Sequence, residues 1–209
     1  MWFEILPADV TDRQCGRSLV GLLVVLCVTA MIIVAGIPTL TEARRAAALR
    51  EASGRLWGML VRCRAHAIMR RRATALVFER TDAGMWRCFV AEDGDGDGLR
   101  RADLQSGRDR VIGEVLHLEG HTAGLGILVD QRVPDPSGRG WLGGDLGDPV
   151  RAGRGDIITF TPRSTATPSS IYLTDYHDRM RVLRITPGTG RVYGLVWRAG
   201  WRRWRTVGL

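Results

Sequence analysis

The most prominent pattern in the sequence is an uncharged apolar segment near the N-terminus. From Leu19 to Ile37 no side chain carries a charge, and nearly all of them are apolar. A helix of this length, rising about 1.5 Å per residue, nearly matches a hydrocarbon core roughly 30 Å thick. Charged residues stand on both sides, at Arg17 and Glu42. The pattern predicts a transmembrane helix over residues 17–38.

Helical periodicity continues beyond this segment. Residues 41–49 are rich in strong helix formers, and apolar residues then recur at intervals of three, four and seven positions. This stripe consists of Leu49, Leu56, Leu60, Cys63 and Ala67, widened by Trp57, Val61 and Ile68. The sequence predicts an amphipathic continuation of the helix over residues 39–73, with a kink at Pro38 because proline lacks the backbone donor.

After residue 73 the apolar period changes to two, which is typical of strands. The predicted strands are 74–79, 85–90, 110–118, 126–133, 156–161, 170–174, 180–186 and 191–197. Between residues 134 and 155 glycine, proline, aspartate and arginine dominate, so a long loop is expected there. The predicted fold class is α+β, with the long helix packed on an antiparallel β-sheet domain at residues 74–209.

Charge is distributed unevenly along the 209 residues. The net charge is +8, and all 30 basic residues are arginine. Beyond Asp178 there is no acidic residue, but there are eight arginines. The C-terminal segment is therefore a candidate surface for an anionic partner.

The start of the apolar segment carries a specific resemblance. Residues 16–26 read GRSLVGLLVVL, which is similar to the class III signal of type IV pilins and type II secretion pseudopilins. The resemblance implies that a prepilin peptidase removes a leader at 1–16 by cutting between Gly16 and Arg17, and that Arg17 is then N-methylated. Two positions depart from the family pattern: Arg17 replaces the usual Phe or Met, and Gly21 replaces the usual Glu.

The later part of the chain resembles one branch of this family. The arginine-rich helix end at 64–72, the following strand–turn–strand, the sequence Ile158-Thr-Phe-Thr-Pro162 and the sequence Thr189-Gly-Arg-Val192 occur in the order seen in type II secretion system protein H and FimT-like proteins. The resemblance implies a pilin-like fold. It also implies a single-pass protein of the bacterial inner membrane with its C-terminal domain in the periplasm.

The same resemblance implies a set of partners. They are the lipid bilayer, the prepilin peptidase, other pseudopilins or minor pilins, and the inner-membrane assembly platform. No catalytic constellation is found in the sequence, and the four histidines have no metal-ligand spacing, so the protein is not expected to be an enzyme.

An acidic stretch follows the second predicted strand. Asp93, Asp95 and Asp97 alternate with glycine and precede Gly98, as in the first half of an EF-hand calcium loop. Asp103 falls one position short of the bidentate ligand, and two arginines stand nearby. Two interpretations remain open: a weak calcium site formed by Asp93, Asp95, Asp97 and Asp103, or a solvated Asp-Gly turn.

The C-terminal segment interleaves tryptophan and arginine. Arginines can hold phosphates while bases stack on tryptophan rings, so DNA binding is one interpretation. Some FimT-like minor pilins resemble this arrangement and use a basic C-terminal tail to bind DNA during uptake. The alternatives are an extra strand with its tryptophans in the core, or contact with anionic lipid. The candidate DNA-binding residues are Arg198, Trp201, Arg202, Arg203, Trp204 and Arg205.

Cys63 and Cys88 are the two cysteines that lie beyond the apolar segment. They would form either a disulfide in an oxidising compartment or two buried free thiols.

Three functions from different classes fit these patterns. The expected one is a minor pseudopilin, a structural component of the type II secretion pseudopilus. The alternative is a FimT-like minor type IV pilin that contacts DNA. The third is a membrane-anchored calcium-binding envelope protein that enters no filament.

Overall fold

The fold is α+β, with a long N-terminal helix and antiparallel sheets. The structure, a computed structural model, describes residues 14–118, 120–153 and 155–208, so most of the expected leader lies outside the described residues. The helices are α1 (Gln14–Arg70) and α2 (Arg101–Ser106). The strands are β1 (Thr74–Arg80), β2 (Trp86–Glu92), β3 (Arg110–His117), β4 (Gly124–Leu125), β5 (Val150–Ala152), β6 (Ile157–Phe160), β7 (Ser169–Thr174), β8 (Arg179–Ile185), β9 (Val192–Arg198) and β10 (Arg205–Val207).

Helix α1 is continuous over the two segments that the sequence predicts. Pro38 lies inside it. The chain forms two compact units, Met1–Ala43 and Arg44–Leu209, and α1 contributes to both. In the described part of the first unit, the apolar side chains from Leu19 to Leu40 are exposed.

In the second unit, α1 buries the stripe that its periodicity predicts. Leu56, Leu60, Cys63 and Ala67 are fully buried. Val61 and Ile68 are exposed, however, which corrects the predicted width of the stripe. Each follows a stripe residue directly, and successive helical residues point about 100° apart, so both turn away from the sheets. The helix ends at Arg70, before Arg71 takes a left-handed φ of 55°.

In the described part of the second unit, the strands form two antiparallel sheets. The strand order is β3-β2-β1-β6 in the first sheet and β10-β9-β8-β7-β4 in the second, where β5 also pairs with β7. In the first sheet, the β2–β3 register shifts between Cys88 and Val90, and Gly113 has a φ of 83°. Because a bulge requires an unusual backbone conformation, glycine is suited to this position.

Among the described residues, three hydrophobic clusters hold these layers together. The largest joins the buried stripe of α1 to residues of both sheets, among them Phe78, Phe160 and Leu183. A second covers the other face of the second sheet and includes Val133, Leu142 and Trp197. The third joins Val77 and Phe89 of the first sheet to Leu104 of α2. Strand β1 is therefore covered on both faces, which explains its continuous apolar sequence.

The structure corrects several sequence predictions. The strand expected at 126–133 is not formed, since only β4 pairs in that region and the chain then runs as a loop. Ile127 and Val133 are nevertheless buried, in the second cluster. The expected loop at 134–155 contains β5, and the short helix α2 was not among the predicted elements. Strand β10 corresponds to the extra C-terminal strand that the sequence left open as an alternative.

Candidate functional site

The first candidate region is the apolar half of α1. Among the described residues, α1 is the one helix long and apolar enough to cross a membrane. Two of its side-chain hydroxyls are bonded within the helix: Thr29 Oγ1 donates to the carbonyl oxygen of Val25 at 2.6 Å, and Thr41 Oγ1 donates to that of Pro38 at 2.8 Å. At Gly21, an added Cβ would have no neighbouring atom within 4 Å. The backbone of the expected cleavage position, Gly16 and Arg17, is helical.

The second candidate region is the acidic loop, residues 93–100, which connects β2 to α2. Asp93 is buried and accepts backbone N–H groups from Gly96 at 2.7 Å and Gly98 at 3.1 Å. Asp109 is also buried and accepts from Gly94 at 3.1 Å. The bonds to Asp93 fold the loop on itself, and the bond to Asp109 ties the loop to the residue before β3. Gly94 is required here, because a Cβ would lie 1.9 Å from the carbonyl oxygen of Arg108.

Three of the four predicted calcium ligands come together in this loop. One ligand oxygen from each of Asp93, Asp95 and Asp97 lies within 4.8 Å of the others. Oxygens that share a calcium ion at 2.3–2.6 Å have separations of up to about 5 Å, so the three carboxylates fit one cation. Asp103 is not part of this group; it lies in α2, is buried and pairs with Arg108 at 3.4 Å. The predicted four-residue set is thus reduced to three in the described part of the chain.

The two exposed carboxyls of the loop affect each other's ionisation. A hydrogen bond from the backbone of Asp97 lowers the pKa of Asp95. A hydrogen bond with the Asp95 carboxyl raises the pKa of Asp97. A cation bound between the two carboxylates would favour the ionised form of both, so a proton shared by the pair would be displaced into solvent. Arg100 already pairs with Asp97 at 2.9 Å, so an ion would compete with that contact.

The third candidate region is the β9–β10 hairpin with its tryptophans. Trp197 is buried and donates its Nε1–H to the carbonyl oxygen of Trp201 at 2.8 Å. Trp204 donates to the carbonyl oxygen of Pro134 at 2.6 Å, and its ring centroid lies 6.3 Å from that of Trp197. The extra strand β10 pairs with β9. The structure therefore agrees with the alternative in which the tryptophans belong to the core.

The arginines of this hairpin differ in whether their guanidinium groups already contact another side chain. Arg198 pairs with Asp178 at 2.7 Å, and the guanidinium carbon of Arg205 lies 4.0 Å from the centroid of the Trp201 ring. Arg202 and Arg203 are exposed and line a cleft of about 440 Å³ with Trp141. All four candidate arginines are exposed, but Arg198 and Arg205 already contact a carboxylate and a ring, respectively.

Cys27, Cys63 and Cys88 are free thiols. Cys63 and Cys88 are both buried, and the Cys88 thiol donates to Met59 Sδ at 3.9 Å. Burial raises the pKa of each thiol to about 12. Since the thiolate is the reactive form, these two cysteines are inert structural residues. This agrees with the second of the two sequence interpretations.

No protein-family model, no curated protein and no solved structure matches this chain.

Proposed function

We propose that this protein is a minor pseudopilin, a structural subunit of the periplasmic filament of a type II secretion system. The observation that carries the proposal is α1, whose N-terminal half is apolar and exposed and whose C-terminal half supplies the core stripe of a β-sheet domain. The signal-like sequence at 16–26 supports the same interpretation. Protein secretion would then be the process in which the molecule takes part, with no chemistry of its own.

The exposed apolar surface of α1 needs a nonaqueous environment. Burying apolar area contributes about 25 cal/mol per Å², and folded proteins rarely leave such a long apolar surface in water. A bilayer provides that environment before assembly, and the helices of other subunits provide it in a filament. The role as a pseudopilin uses both environments in turn.

Gly21 indicates which position the subunit would take. In the family pattern this position holds a glutamate that is thought to meet the positive N-terminus of a neighbouring subunit. A carboxylate in an apolar helix is costly unless it is paired. Gly21 needs no such partner. We therefore propose a tip or initiating position, where no further subunit lies above.

Mass spectrometry of the protein from its native host tests this proposal. The mature chain is expected to begin at Arg17 with a methylated α-amino group. Gly16→Val should block the cleavage because the bulky side chain fills the peptidase site, whereas Gly21→Ala should leave cleavage unchanged. A mature product that still begins at Met1 would contradict the pilin interpretation.

A second candidate function is a FimT-like minor type IV pilin that binds DNA. The observation that favours it is the pair of exposed arginines at 202 and 203, in a segment without acidic residues. An electrophoretic mobility shift at two salt concentrations tests it, because phosphate contacts weaken as salt rises. The triple variant Arg202→Ala, Arg203→Ala, Arg205→Ala should lose binding, while Arg62→Ala with Arg110→Ala should not. Equal binding by both variants would exclude this function.

A further inference from the structure

A row of polar residues crosses four strands of the second sheet. Arg151 of β5 is opposite Ser170 of β7, which is opposite Arg184 of β8, which is opposite Tyr193 of β9. Directly opposite residues of antiparallel strands point to the same face. Adjacent strands lie about 4.8 Å apart, so the Cα atoms of the two arginines are about 10 Å apart with Ser170 between them.

Aromatic rings hold both guanidinium groups in this row. The guanidinium carbon of Arg151 lies 5.3 Å from the centroid of the Tyr172 ring, and that of Arg184 lies 6.0 Å from the centroid of the Tyr193 ring. Arg151 also donates one N–H to the carbonyl oxygen of Asp145 at 3.1 Å. Such contacts restrict the side chains before any ligand arrives, which reduces the entropy cost of binding.

The two arginines have donors left over. Within the part of the chain that the structure describes, Arg184 makes no hydrogen bond or ion pair, and Arg151 uses one of its five N–H donors. Both side chains are half-buried. Two like charges held in one row repel each other, and partial burial strengthens the repulsion.

These residues line a cleft that favours an anion. Its volume is about 380 Å³, and its walls include Ser170, Thr186 and Tyr193, which add hydroxyl groups to the two guanidiniums. Among the described residues, no carboxylate lines it. The lining of the cleft therefore combines two guanidinium groups with several hydroxyl groups, and none of its described residues is negatively charged.

We propose that this cleft binds a phosphate group, held between the guanidinium forks of Arg151 and Arg184 with the Ser170 hydroxyl beneath it. Arginine forks match the oxygens of a tetrahedral oxyanion and donate charge-assisted hydrogen bonds to it. Both an inorganic phosphate and a phosphomonoester lipid headgroup present this chemistry. The inference is independent of the filament role, because it involves only the second sheet.

Calorimetric titration of the full chain in a nonionic detergent tests the site. Inorganic phosphate and short-chain phosphatidate, dissolved below its micelle concentration, are titrated separately at constant ionic strength, with chloride as the reference anion. Saturable binding of either supports the site. Phosphatidate binding at least tenfold tighter would assign the headgroup as ligand, and equal binding would assign the phosphate group alone. No saturable binding of either anion would overturn the proposal.

Variants connect the binding to the proposed residues. Arg184→Gln and Arg151→Gln should each weaken phosphate binding at least tenfold. Arg110→Gln, an exposed strand arginine of the other sheet, should bind as the unmodified protein does. Arg184→Lys keeps the charge but lacks the planar guanidinium, so it should bind phosphate at least threefold more weakly. It replaces Arg184→Gln in the experiment if that variant does not fold. Unchanged affinity in the folded Arg184 variants would overturn the proposal.

Discussion

At the scale of single residues, the arginines have several kinds of partner. Some form exposed ion pairs, such as Arg55 with Glu51, in which each side chain is 62% exposed, and pairs of this kind contribute about 0–1 kcal/mol. Others stack on aromatic rings, among them Arg80 on Trp86 at 4.7 Å and Arg132 on Trp141 at 5.5 Å. A planar guanidinium stacks where a lysine ammonium does not. The all-arginine composition therefore has structural uses beyond net charge.

One partly buried contact gives a pH-dependent prediction. His66 Nε2 and Glu92 Oε2 lie 2.5 Å apart and join α1 to β2. The hydrogen bond with His66 lowers the pKa of Glu92 below its ordinary value of 4.5, with nearby Arg72 and Arg70 acting in the same direction. A lowered folded-state pKa stabilises the native state above pH 4.5, and this contribution is lost as the pH falls through the folded-state pKa.

Glu92→Gln should therefore destabilise the protein near neutral pH and have progressively less effect in acid. Urea unfolding followed by circular dichroism at a series of pH values gives the free energy of unfolding of the unmodified protein and of the variant. Glu51→Gln, which removes an exposed ion pair, is the control and should change stability little at any pH. If the difference in free energy of unfolding between the unmodified protein and Glu92→Gln stayed constant into acid, the stabilising role of ionised Glu92 would be contradicted.

At the scale of elements, the strongly periodic segments were predictable. The helical stripe through Leu56 and Ala67 identified the buried face of α1, and the period of two identified most of the long strands. The prediction of a strand at 126–133 is wrong, because apolar residues can be buried without pairing in a sheet. Ile127 and Val133 are buried by lying over the second sheet, which requires no ladder of hydrogen bonds.

The candidate sites differ in how far sequence predicts them. The three aspartates of the acidic loop are close in sequence, so their spacing alone placed them together. The row containing Arg151, Ser170 and Arg184 combines three strands, of which β5 was expected to be loop. Its members come together through strand register, which depends on tertiary packing and cannot be read from local sequence.

The acidic loop leads to a prediction about calcium. Millimolar calcium should raise the midpoint of thermal unfolding, because a ligand that binds only the native state stabilises it. Asp95→Asn should remove this effect without disturbing the fold, since Asp95 is exposed and its carboxyl bonds locally, with the N–H and the carboxyl of Asp97. Asp82→Asn, in the exposed β1–β2 turn, is the matched control.

Magnesium at the same concentration separates a calcium site from general screening of negative charge. If the two cations shifted the midpoint of thermal unfolding equally, or if calcium did not shift it, the loop would be a solvated Asp-Gly turn.

At the scale of the whole molecule, the proposed role depends on how α1 enters an assembly, and Gly21 gives a direct test. An added side chain meets no atom within 4 Å at this position, so Gly21→Glu should fold normally. If the missing carboxylate keeps the subunit out of the filament shaft, the variant should be found in purified filaments at a severalfold higher level. Quantitative mass spectrometry of sheared filaments measures this ratio.

Gly21→Gln is the matched control, because it has the same shape without the charge. It should remain at the level of the unmodified protein. Equal enrichment of the two variants would mean that side-chain size, and not charge, governs incorporation.

The hydroxyl of Thr29 is bonded back to the carbonyl oxygen of Val25. This bond affects how easily the helix could move from a bilayer into contact with other protein helices. Because the helix satisfies this polar group internally, it neither gains nor loses a hydrogen bond when lipid chains around it are exchanged for protein side chains. Van der Waals fit with its neighbours, rather than polarity, would then decide which surroundings the segment prefers.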